Sequence, residues 1–508
     1  MKIWIKLLAL SLVCFSIRCI RIGYESIWFD EAQSLWYSGG RSFPALVRDL
    51  ILDTNPPLFF LSLRLWRFLA GESIEAARLW SVLWAALLVP AVYYLARSLR
   101  VDQRGSLYAS VVATFLPFTL YYAHQIRGYT FFVMLIALFL TATAHLLNRV
   151  KTSEPGRRLE WNRYTLAWIG VGAALIYTHN YSLFVLATVC IWTLFEALIH
   201  RRPHIVWQMT TFGSAIVILG FPQLFLMNRR MLDGKGLGWI SEIMGEMDIT
   251  WPLRVSDALV CGPIIHPSPM WLRAIAVGAA ALILLWMGLP SRTRLPLWTR
   301  LPLWMGLPTN PRSQKGAYYE RALPLILLLL FVAIPLLISL NRLIVMGGQR
   351  YMVYAVPVFC VALGAGLSRS PQWLRWAGLL VFGIVWFQYA SVFFSERQER
   401  PWSHVVTYLE QNMDLENERV TCVPGYSNLI PEILSKGRIK MSSRPHVGEH
   451  YRGVGPEVEG IWLVTVDAEG EGPYPVSRRQ FQPVGDAVVW ETDLPGHFLR
   501  LIHHRRIE

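Results

Sequence analysis

The feature of this sequence that most constrains its fold is a series of about eleven long apolar stretches separated by polar connections. A helix needs about 20 apolar residues to cross the hydrocarbon core of a bilayer. Inside that core the backbone polar groups must be satisfied within the segment itself, which a helix achieves. The sequence therefore predicts an all-α polytopic membrane protein with transmembrane helices at residues 3–22, 76–96, 105–122, 130–147, 164–177, 181–198, 205–226, 271–289, 322–340, 351–367 and 373–394.

The composition agrees with a chain that lies in a bilayer. Of the 508 residues, 54% are hydrophobic and only 16% are charged, whereas roughly a quarter of the residues in a soluble protein are charged. The formal net charge of +14 would suggest a nucleic-acid partner in a soluble protein. Here the basic residues lie in short loops and form no stripe with interleaved aromatic residues, so no nucleic acid is expected as a partner.

The basic residues instead predict how the chain is oriented in the membrane. If Lys2 and Lys6 lie in the cytoplasm, the cytoplasmic connections are 97–104, 148–163, 200–204, 291–321 and 368–375. Each of these connections is rich in arginine or lysine, which matches the positive-inside rule. The predicted location is the cell inner (plasma) membrane, with the N-terminus in the cytoplasm.

A shorter apolar run at residues 58–69 is interrupted by Arg64 and Arg67. About twelve residues are too few to span a bilayer, so this run is predicted to be an interfacial or re-entrant helix. Counting it as a full span would also place the arginines of the connection 97–104 outside the cytoplasm, against the positive-inside rule.

Two further segments have their own interpretations. The first apolar stretch could be a cleaved signal peptide, but no small-residue cleavage site follows it. Arg18 and Arg21 lie at its predicted outer end, where they either snorkel to the interface or bind an anionic ligand. The stretch 285–308, in which one six-residue sequence occurs twice, is predicted to be a cytoplasmic linker.

The chain divides into two predicted domains. Residues 1–394, which contain all the long apolar stretches, are predicted to form a transmembrane domain. From residue 395 the composition becomes polar, and short strand-like segments follow a helical one, so residues 395–508 are predicted to form a small extracytoplasmic soluble α/β domain. Four of the six cysteines lie in apolar stretches, and the other two, Cys261 and Cys422, could pair in an oxidising compartment.

The unusual polar residues collect on the face that this topology places outside the cytoplasm. Charged groups at a membrane boundary are functional hypotheses by default. The catalytic candidates are Asp30 and Glu31, beside the aromatic pair Trp28-Phe29. The substrate-binding candidates are Asn55, His124, Arg127, Tyr129, His179, Asn180, Lys235, Arg350 and Tyr351.

Each of these residues also has a purely structural interpretation. Asp30 could cap the helix that the following residues favour. Arg127 and Arg350 could anchor helix ends at the interface, and residues 178–181 could be a simple turn between two spans. Carboxylates, cations and aromatic rings gathered on one face nevertheless favour a role in chemistry.

This set of residues suits group transfer from a lipid phosphate. A phosphate leaving group develops negative charge that arginine or lysine can hold, and a carboxylate can accept the proton of an attacking hydroxyl. The sequence contains no glycine-rich phosphate loop. Since nucleotide sugars are absent outside the cytoplasm, a lipid-linked donor fits this face.

The order of the motifs resembles the bacterial branch of the protein O-mannosyltransferase and aminoarabinose transferase superfamily, which are GT-C-fold glycosyltransferases of family 39. The resemblance covers roughly residues 1–400. It is carried, in order, by Trp28-Phe29-Asp30-Glu31, Asn55-Pro56-Pro57-Leu58, Arg78, Gln125-Ile126-Arg127-Gly128-Tyr129, Thr178-His179-Asn180-Tyr181 and Arg350-Tyr351.

This resemblance implies a polyprenyl-phosphate-linked sugar as donor, an inverting transfer, and a lipid, glycan or protein of the envelope as acceptor. It implies that Asp30 is the base and that Glu31 has a positioning or metal-contact role, so the one cofactor considered is a divalent metal near the acidic pair. It also places Arg127 in the site. The family pattern usually has His-Pro-Pro where this chain has Asn55-Pro56-Pro57, so no histidine role is carried over to that position.

Two other classes of protein are compatible with the sequence. A multi-pass transporter or lipid flippase would also be polytopic, but it should show pairs of interrupted helices in two related halves, a pattern that we do not find in the sequence. A non-catalytic scaffold for envelope assembly is the other class. Loss of sugar transfer on changing Asp30, with normal membrane insertion, would separate an enzyme from both.

Overall fold

A computed structural model of the 508-residue chain describes residues 2–40, 42–152, 161–232, 250–263, 267–288, 311–340, 349–396, 401–423, 429–441, 459–466, 481–484, 488–491 and 498–506. The chain forms two compact units. The first comprises Met1–Cys19, Ser42–Ser62 and Arg78–Ser391, and the second comprises Ile20–Arg41, Leu63–Ala77 and Val392–Glu508.

Helices make up most of the described chain. Those in its first half are α1 Ile3–Cys19, α2 Phe29–Ser38, α3 Phe43–Leu52, α4 Leu58–Ala70, α5 Ile74–Ser98, α6 Gln103–Phe115, α7 Pro117–Ala123, α8 Tyr129–Thr152, α9 Arg163–Ile176, α10 Ser182–His200, α11 His204–Leu232 and α12 Trp251–Cys261. The later ones are α13 Met270–Gly288, α14 Pro311–Leu340, a 3-10 helix Gln349–Ala355, α15 Val356–Arg369, α16 Gln372–Ser395, α17 Trp402–Asn412 and α18 Leu429–Leu434.

Eight of the described helices are long and apolar enough to cross a membrane, and each coincides with a predicted span. They lie in α5, α8, α10, α11, α13, α14 and α16 and in the segment Met352–Arg369, which contains α15. A ninth results if α6 and α7, which meet at a bend of 49°, count as one span. The prediction of a polytopic membrane protein is therefore confirmed.

The other two predicted spans are helices too, but shorter ones. The helix α1 has 17 residues and α9 has 14. A helix of the latter length is about 21 Å long, less than the roughly 30 Å of a hydrocarbon core. The run at residues 58–69 forms the 13-residue helix α4, which agrees with the prediction that it does not span, while its place at the membrane interface stays a prediction.

The bend between α6 and α7 explains the arginine at the end of α1. Pro117 begins α7, and a proline lacks the N–H group that would continue the hydrogen bonding of α6. Arg18 donates from Nη1 to the carbonyl of Thr114 at 2.9 Å and from Nη2 to Thr119 Oγ1 at 2.8 Å. Arg18 is buried, so it does not snorkel to the interface. It donates instead to a backbone carbonyl in the last turn of α6, beside the bend.

A buried carboxylate joins the C-terminal ends of α8 and α10. Glu196 Oε2 lies 3.0 Å from Lys151 Nζ and 3.3 Å from Nε2 of His200. The indole N–H of Trp192 donates to Glu196 Oε1 at 3.1 Å. Because a buried carboxylate without partners is strongly unfavourable, this cluster fixes the two helix ends relative to each other.

The second unit contains a five-stranded sheet. Its strands are β1 Glu418–Val423, β2 Gly460–Val466, β3 Phe481–Pro483, β4 Val488–Glu491 and β5 Phe498–Arg506. The strand order is β1-β2-β5-β3, and β4 also pairs with β5. The pair β1–β2 is parallel, and β5 is antiparallel to its three neighbours. The predicted small α/β domain at the C-terminus is therefore confirmed.

The strand β2 is an interior strand of this sheet and lies between β1 and β5. Residues 461–464 are all buried, which is typical of a strand covered on both faces. Trp462 is opposite His503 of β5, and the two rings stack with their centroids 4.1 Å apart. Glu418 binds both, because its Oε2 accepts from the Trp462 indole at 2.7 Å and its Oε1 lies 2.8 Å from His503 Nε2.

Three other sequence predictions are not confirmed by the structure. All six cysteines are free, so Cys261 and Cys422 do not form a disulfide. The duplicated linker falls largely on residues 289–310, outside the described ranges. The predicted domain boundary between residues 394 and 395 stays a prediction, and the compact units group residues 20–41 and 63–77 with the C-terminal part.

Candidate functional site

Asn55 and Arg127, both predicted from the sequence to bind substrate, meet in the structure. Asp53 Oδ1 accepts hydrogen bonds from the backbone N–H of Asn55 at 2.6 Å and from its Nδ2 at 2.9 Å. The Oδ1 of Asn55 is left to accept a hydrogen bond from Arg127 Nη2 at 3.5 Å. An amide oxygen accepts hydrogen bonds, so this contact orients the guanidinium.

A short turn holds Arg127 just before α8. Ser81 Oγ donates to the carbonyl of Gln125 at 2.6 Å, and the backbone N–H of Arg127 donates to the same carbonyl at 2.8 Å. The guanidinium carbon lies 5.9 Å from the ring centroid of Tyr129, near the outer limit of cation–π attraction. Arg127 is half-buried, so its backbone is fixed while part of its side chain stays accessible.

The predicted turn between α9 and α10 is confirmed. Two hydrogen bonds join it to the loop that carries Asn55. Asn180 Nδ2 donates to the carbonyl of Thr54 at 3.1 Å, and the N–H of Leu58 donates to the carbonyl of Tyr177 at 2.8 Å. Asn180 therefore has a defined structural role, which is to hold this turn beside the Asn55 loop.

His179 lies in the same turn, half-buried against aromatic rings. It stacks on Phe132 with centroids 4.8 Å apart and planes 20° apart, and its centroid is 6.3 Å from that of Tyr129. Its Nδ1 accepts a hydrogen bond from the N–H of Tyr181 at 3.1 Å. This bond places the proton of the neutral imidazole on Nε2.

His124, a further substrate-binding candidate, lies in a more enclosed environment and is 8% exposed. Burial lowers the pKa of His124 to about 3, and the charges of Arg78 and Arg18 act in the same direction. The imidazole is therefore neutral at physiological pH. It can exchange hydrogen bonds with a substrate but cannot supply a positive charge to hold a phosphate.

Five of the predicted residues thus form one group within the first unit, which we call the Arg127 cluster: Asn55, Arg127, Tyr129, His179 and Asn180. The cluster combines a guanidinium with an imidazole N–H, both of them hydrogen-bond donors. Arginine forms strong, frequently bidentate hydrogen bonds with phosphate oxygens. The guanidinium of the cluster can therefore bind an anion such as a phosphate, while the carboxylate of Asp53 is bonded to Asn55.

The acidic pair opens α2 in the second unit. Glu31 is 1% exposed, and its Oε2 accepts a hydrogen bond from the backbone N–H of Trp28 at 3.4 Å. That contact is the return half of a capping box, so Glu31 stabilises the start of its own helix. The N-cap residue is Trp28, which places Asp30 inside the first turn and not at the cap. Asp30 is half-buried and is the more accessible of the two carboxylates.

Three predicted substrate-binding residues have side chains outside the part of the chain that the structure describes. Lys235 lies outside the described residues. Arg350 and Tyr351 belong to the 3-10 helix Gln349–Ala355, and their side chains are not among those described. Within the described ranges, no group of three or more His, Cys, Asp or Glu side chains could hold a metal ion; a metal near the acidic pair stays a prediction.

Sequence reasoning missed two residues that organise the Arg127 cluster. Asp53 fixes the amide of Asn55 from two positions earlier, a spacing at which aspartate side chains often bond the backbone. Ser81 holds the turn before α8, and it follows Arg78 by three residues, which places both on one face of α5. The sequence carries a signal for each residue, but no sequence pattern shows which loop it would contact.

No family model and no curated protein matches the sequence of this chain. Its structure resembles that of the archaeal oligosaccharyltransferase AglB from Archaeoglobus fulgidus in complex with an inhibitory peptide and a dolichol-phosphate, with a TM-score of 0.56 at 12% identity. That similarity covers 91% of this chain and 69% of the other. The fold is that of the GT-C glycosyltransferases.

Two further structures are similar. The Archaeoglobus fulgidus oligosaccharyltransferase in complex with Zn and sulfate has a TM-score of 0.53 at 11% identity, covering 91% of this chain and 68% of that one. ArnT from Cupriavidus metallidurans bound to undecaprenyl phosphate has a TM-score of 0.41 at 13% identity, covering 98% of each chain. The two oligosaccharyltransferase structures confirm the predicted GT-C fold, while the assignment to family 39 stays a prediction.

Proposed function

We propose that this protein is a membrane glycosyltransferase that moves a sugar from a polyprenyl phosphate to an acceptor outside the cytoplasm, with inversion at the sugar carbon. The observation that carries the proposal is the Arg127 cluster, a group of anion-binding donors formed by the loops of a GT-C-fold membrane protein. The ordered motifs that resemble glycosyltransferases of family 39 support the same donor, and the acceptor is a lipid, a glycan or a protein of the envelope.

The donor phosphate is held by Arg127, with Arg350 as its second cation and Lys235 as a weaker candidate. Asn55 orients the guanidinium of Arg127, and His179 can donate its Nε2 proton to a phosphate oxygen. A phosphate that carries a polyprenyl chain must stay at the membrane boundary, where the polar ends of transmembrane helices lie. The AglB structure was obtained with a dolichol-phosphate, and this supports a polyprenyl-phosphate donor here.

The reaction forms one bond and breaks one. The acceptor hydroxyl oxygen attacks the anomeric carbon of the sugar, and the bond from that carbon to the phosphate oxygen breaks. The polyprenyl phosphate leaves with the bonding electron pair, stabilised by the arginine charge. The hydroxyl proton passes to the carboxylate of Asp30, which acts as general base.

The proposal is tested by mass spectrometry of the glycolipids and glycoproteins in envelopes of cells that lack the protein. One sugar-modified envelope component should disappear, and the wild-type gene should restore it, whereas the Asp30→Asn gene should not. The purified protein in lipid nanodiscs should release undecaprenyl phosphate from one of a panel of undecaprenyl-phosphate-linked hexoses and pentoses when envelope extract supplies the acceptor. An unchanged envelope, or release that is equal without protein, would contradict the proposal.

The proposed orientation places the N-terminus in the cytoplasm and the C-terminal part outside the plasma membrane, because the arginine-rich connections then all face the cytoplasm. Alkaline phosphatase fused after Glu508 should be active, and green fluorescent protein fused there should stay dark when exported through the general secretion pathway. The same two reporters placed after residue 290, in a predicted cytoplasmic connection, should give the opposite pattern. Fluorescence from the C-terminal fusion would overturn this orientation.

A further inference from the structure

The helix α2, which carries Asp30, belongs to the same compact unit as the C-terminal sheet. It packs against α18 of that unit. The chain just before α2 is bound to C-terminal residues as well, because the hydroxyls of Ser26 and Ser403 lie 3.4 Å apart and Arg21 donates to the carbonyl of Phe394. The acidic helix is therefore held by residues more than 350 positions further along the chain.

The C-terminal end of α2 is held by a buried arginine. Arg67, on α4, is 8% exposed. Its Nη1 donates to the backbone carbonyl of Leu35 at 2.9 Å and to Ser38 Oγ at 2.9 Å. The last carbonyls of a helix lack hydrogen-bond partners within it and carry a partial negative charge. A cationic donor at this position both pairs with such a carbonyl and is attracted by its charge.

From Arg67 a line of hydrogen bonds continues along one face of α2 to Asp30. Ser38 Oγ donates to the carbonyl of Ser34 at 2.7 Å, and Ser34 Oγ donates to the carbonyl of Asp30 at 2.8 Å. Each step spans one helical turn. Arg67 therefore binds one end of α2, and two serine hydroxyls bond the helix backbone from there back to the carbonyl of Asp30.

A helix as short as α2 needs such support. It has 10 residues, and isolated helices shorter than about 12–15 residues are marginal in water. Its position therefore depends on the groups that bind its ends and on α18. Arg67 contributes charged hydrogen bonds, which are worth more than neutral ones.

We propose that Arg67 is a positioning residue for Asp30, and that the unit built around the C-terminal sheet serves to hold α2 in its working position. This inference rests on the proposed role of Asp30 as the base. It gives a function to the C-terminal part of the chain, which carries no catalytic motif of its own. Arg67 acts through α2 and touches no reacting atom in this scheme.

The structural part of the proposal is tested by hydrogen–deuterium exchange of the purified protein in lipid nanodiscs. Arg67→Met keeps the length of the apolar stem of arginine and removes the guanidinium donors. The amides of α2 should then exchange about tenfold faster, as expected for loss of a charged hydrogen bond. Arg67→Lys should stay close to wild type, because both bonds to α2 come from the single nitrogen Nη1. Arg48→Met, which changes an exposed arginine, is the matched control. Unchanged exchange of α2 in Arg67→Met would overturn the proposal.

The functional part is tested by turnover of the undecaprenyl-phosphate-linked sugar on which the wild-type protein acts. Arg67→Met should lower kcat about tenfold and leave the donor KM unchanged, with Arg67→Lys largely active. In an Asp30→Asn background, Arg67→Met should lower turnover by less than about twofold, because residues that act together are not additive. An equal further loss in that background would overturn the positioning role. Normal turnover of Asp30→Asn alone would contradict the proposed base and leave the exchange result standing.

Discussion

Asp30→Asn is expected to lower turnover by a factor of about 10²–10⁴, the range typical of removing a general base. The change keeps the size of the side chain and removes its charge, so the attacking hydroxyl would no longer have an acceptor for its proton. Donor binding should persist, because the cations assigned to the phosphate are unaltered. The measurement is the initial rate at varied donor concentration, which separates kcat from KM.

Glu31→Gln is the matched control for that experiment. Glutamine keeps an oxygen that can accept the hydrogen bond from the Trp28 N–H, so the start of α2 should stay intact. Glu31 is buried and occupied with this contact, whereas Asp30 is half-buried. The loss in Glu31→Gln should therefore be much smaller. If Asp30→Asn turns over normally and Glu31→Gln does not, the two roles are reversed.

Arg127→Lys is expected to lower kcat/KM by about 10–100-fold even though the positive charge is kept. Arginine presents a planar fork that matches a phosphate, whereas lysine presents a single point charge. Lysine would also lose the contact from Nη2 to Asn55 that orients the side chain. A charged hydrogen bond contributes about 1.5–3 kcal/mol, which corresponds to about the loss stated.

The control for Arg127→Lys is Arg48→Lys, because Arg48 is exposed and pairs only with its neighbour Asp49 among the described ion pairs. That variant should match wild type in both kcat and KM. Membrane insertion and thermal stability should be the same in the two variants, so that a loss of activity is not a loss of folding. Full activity of Arg127→Lys would remove this residue from the phosphate site.

The sequence predicted the transmembrane helices well because the hydrocarbon core of a bilayer offers the backbone no hydrogen-bond partners. Every backbone group in the hydrocarbon must be bonded locally, so a long apolar run has few alternatives to a helix. Two predicted spans differ from a single long helix. The helix α9 has only 14 residues, and the predicted span 105–122 is broken at Pro117 into α6 and α7. A proline inside an apolar run signals a break, but the run itself does not show its angle.

The members of the Arg127 cluster were also predictable, as residue types at helix ends on one predicted face. Their mutual contacts were not. Asn55 and Arg127 are 72 positions apart, and the sequence does not show that Asp53 turns the amide of Asn55 toward the guanidinium. Such contacts depend on how the helices pack, which is set by many small side-chain fits that no single motif records.

The sequence by itself determined that this chain is a multi-pass membrane protein and which polar residues stand at the helix ends, because these follow from local apolarity and charge. Only the tertiary structure decided what two arginines do. Arg67 seemed from the sequence to do no more than interrupt a short apolar run, yet it binds the end of α2, and Arg18 bonds the open end of α6. A guanidinium can reach water, a ligand or a helix end, and the choice among them depends on which chain segments fold against it.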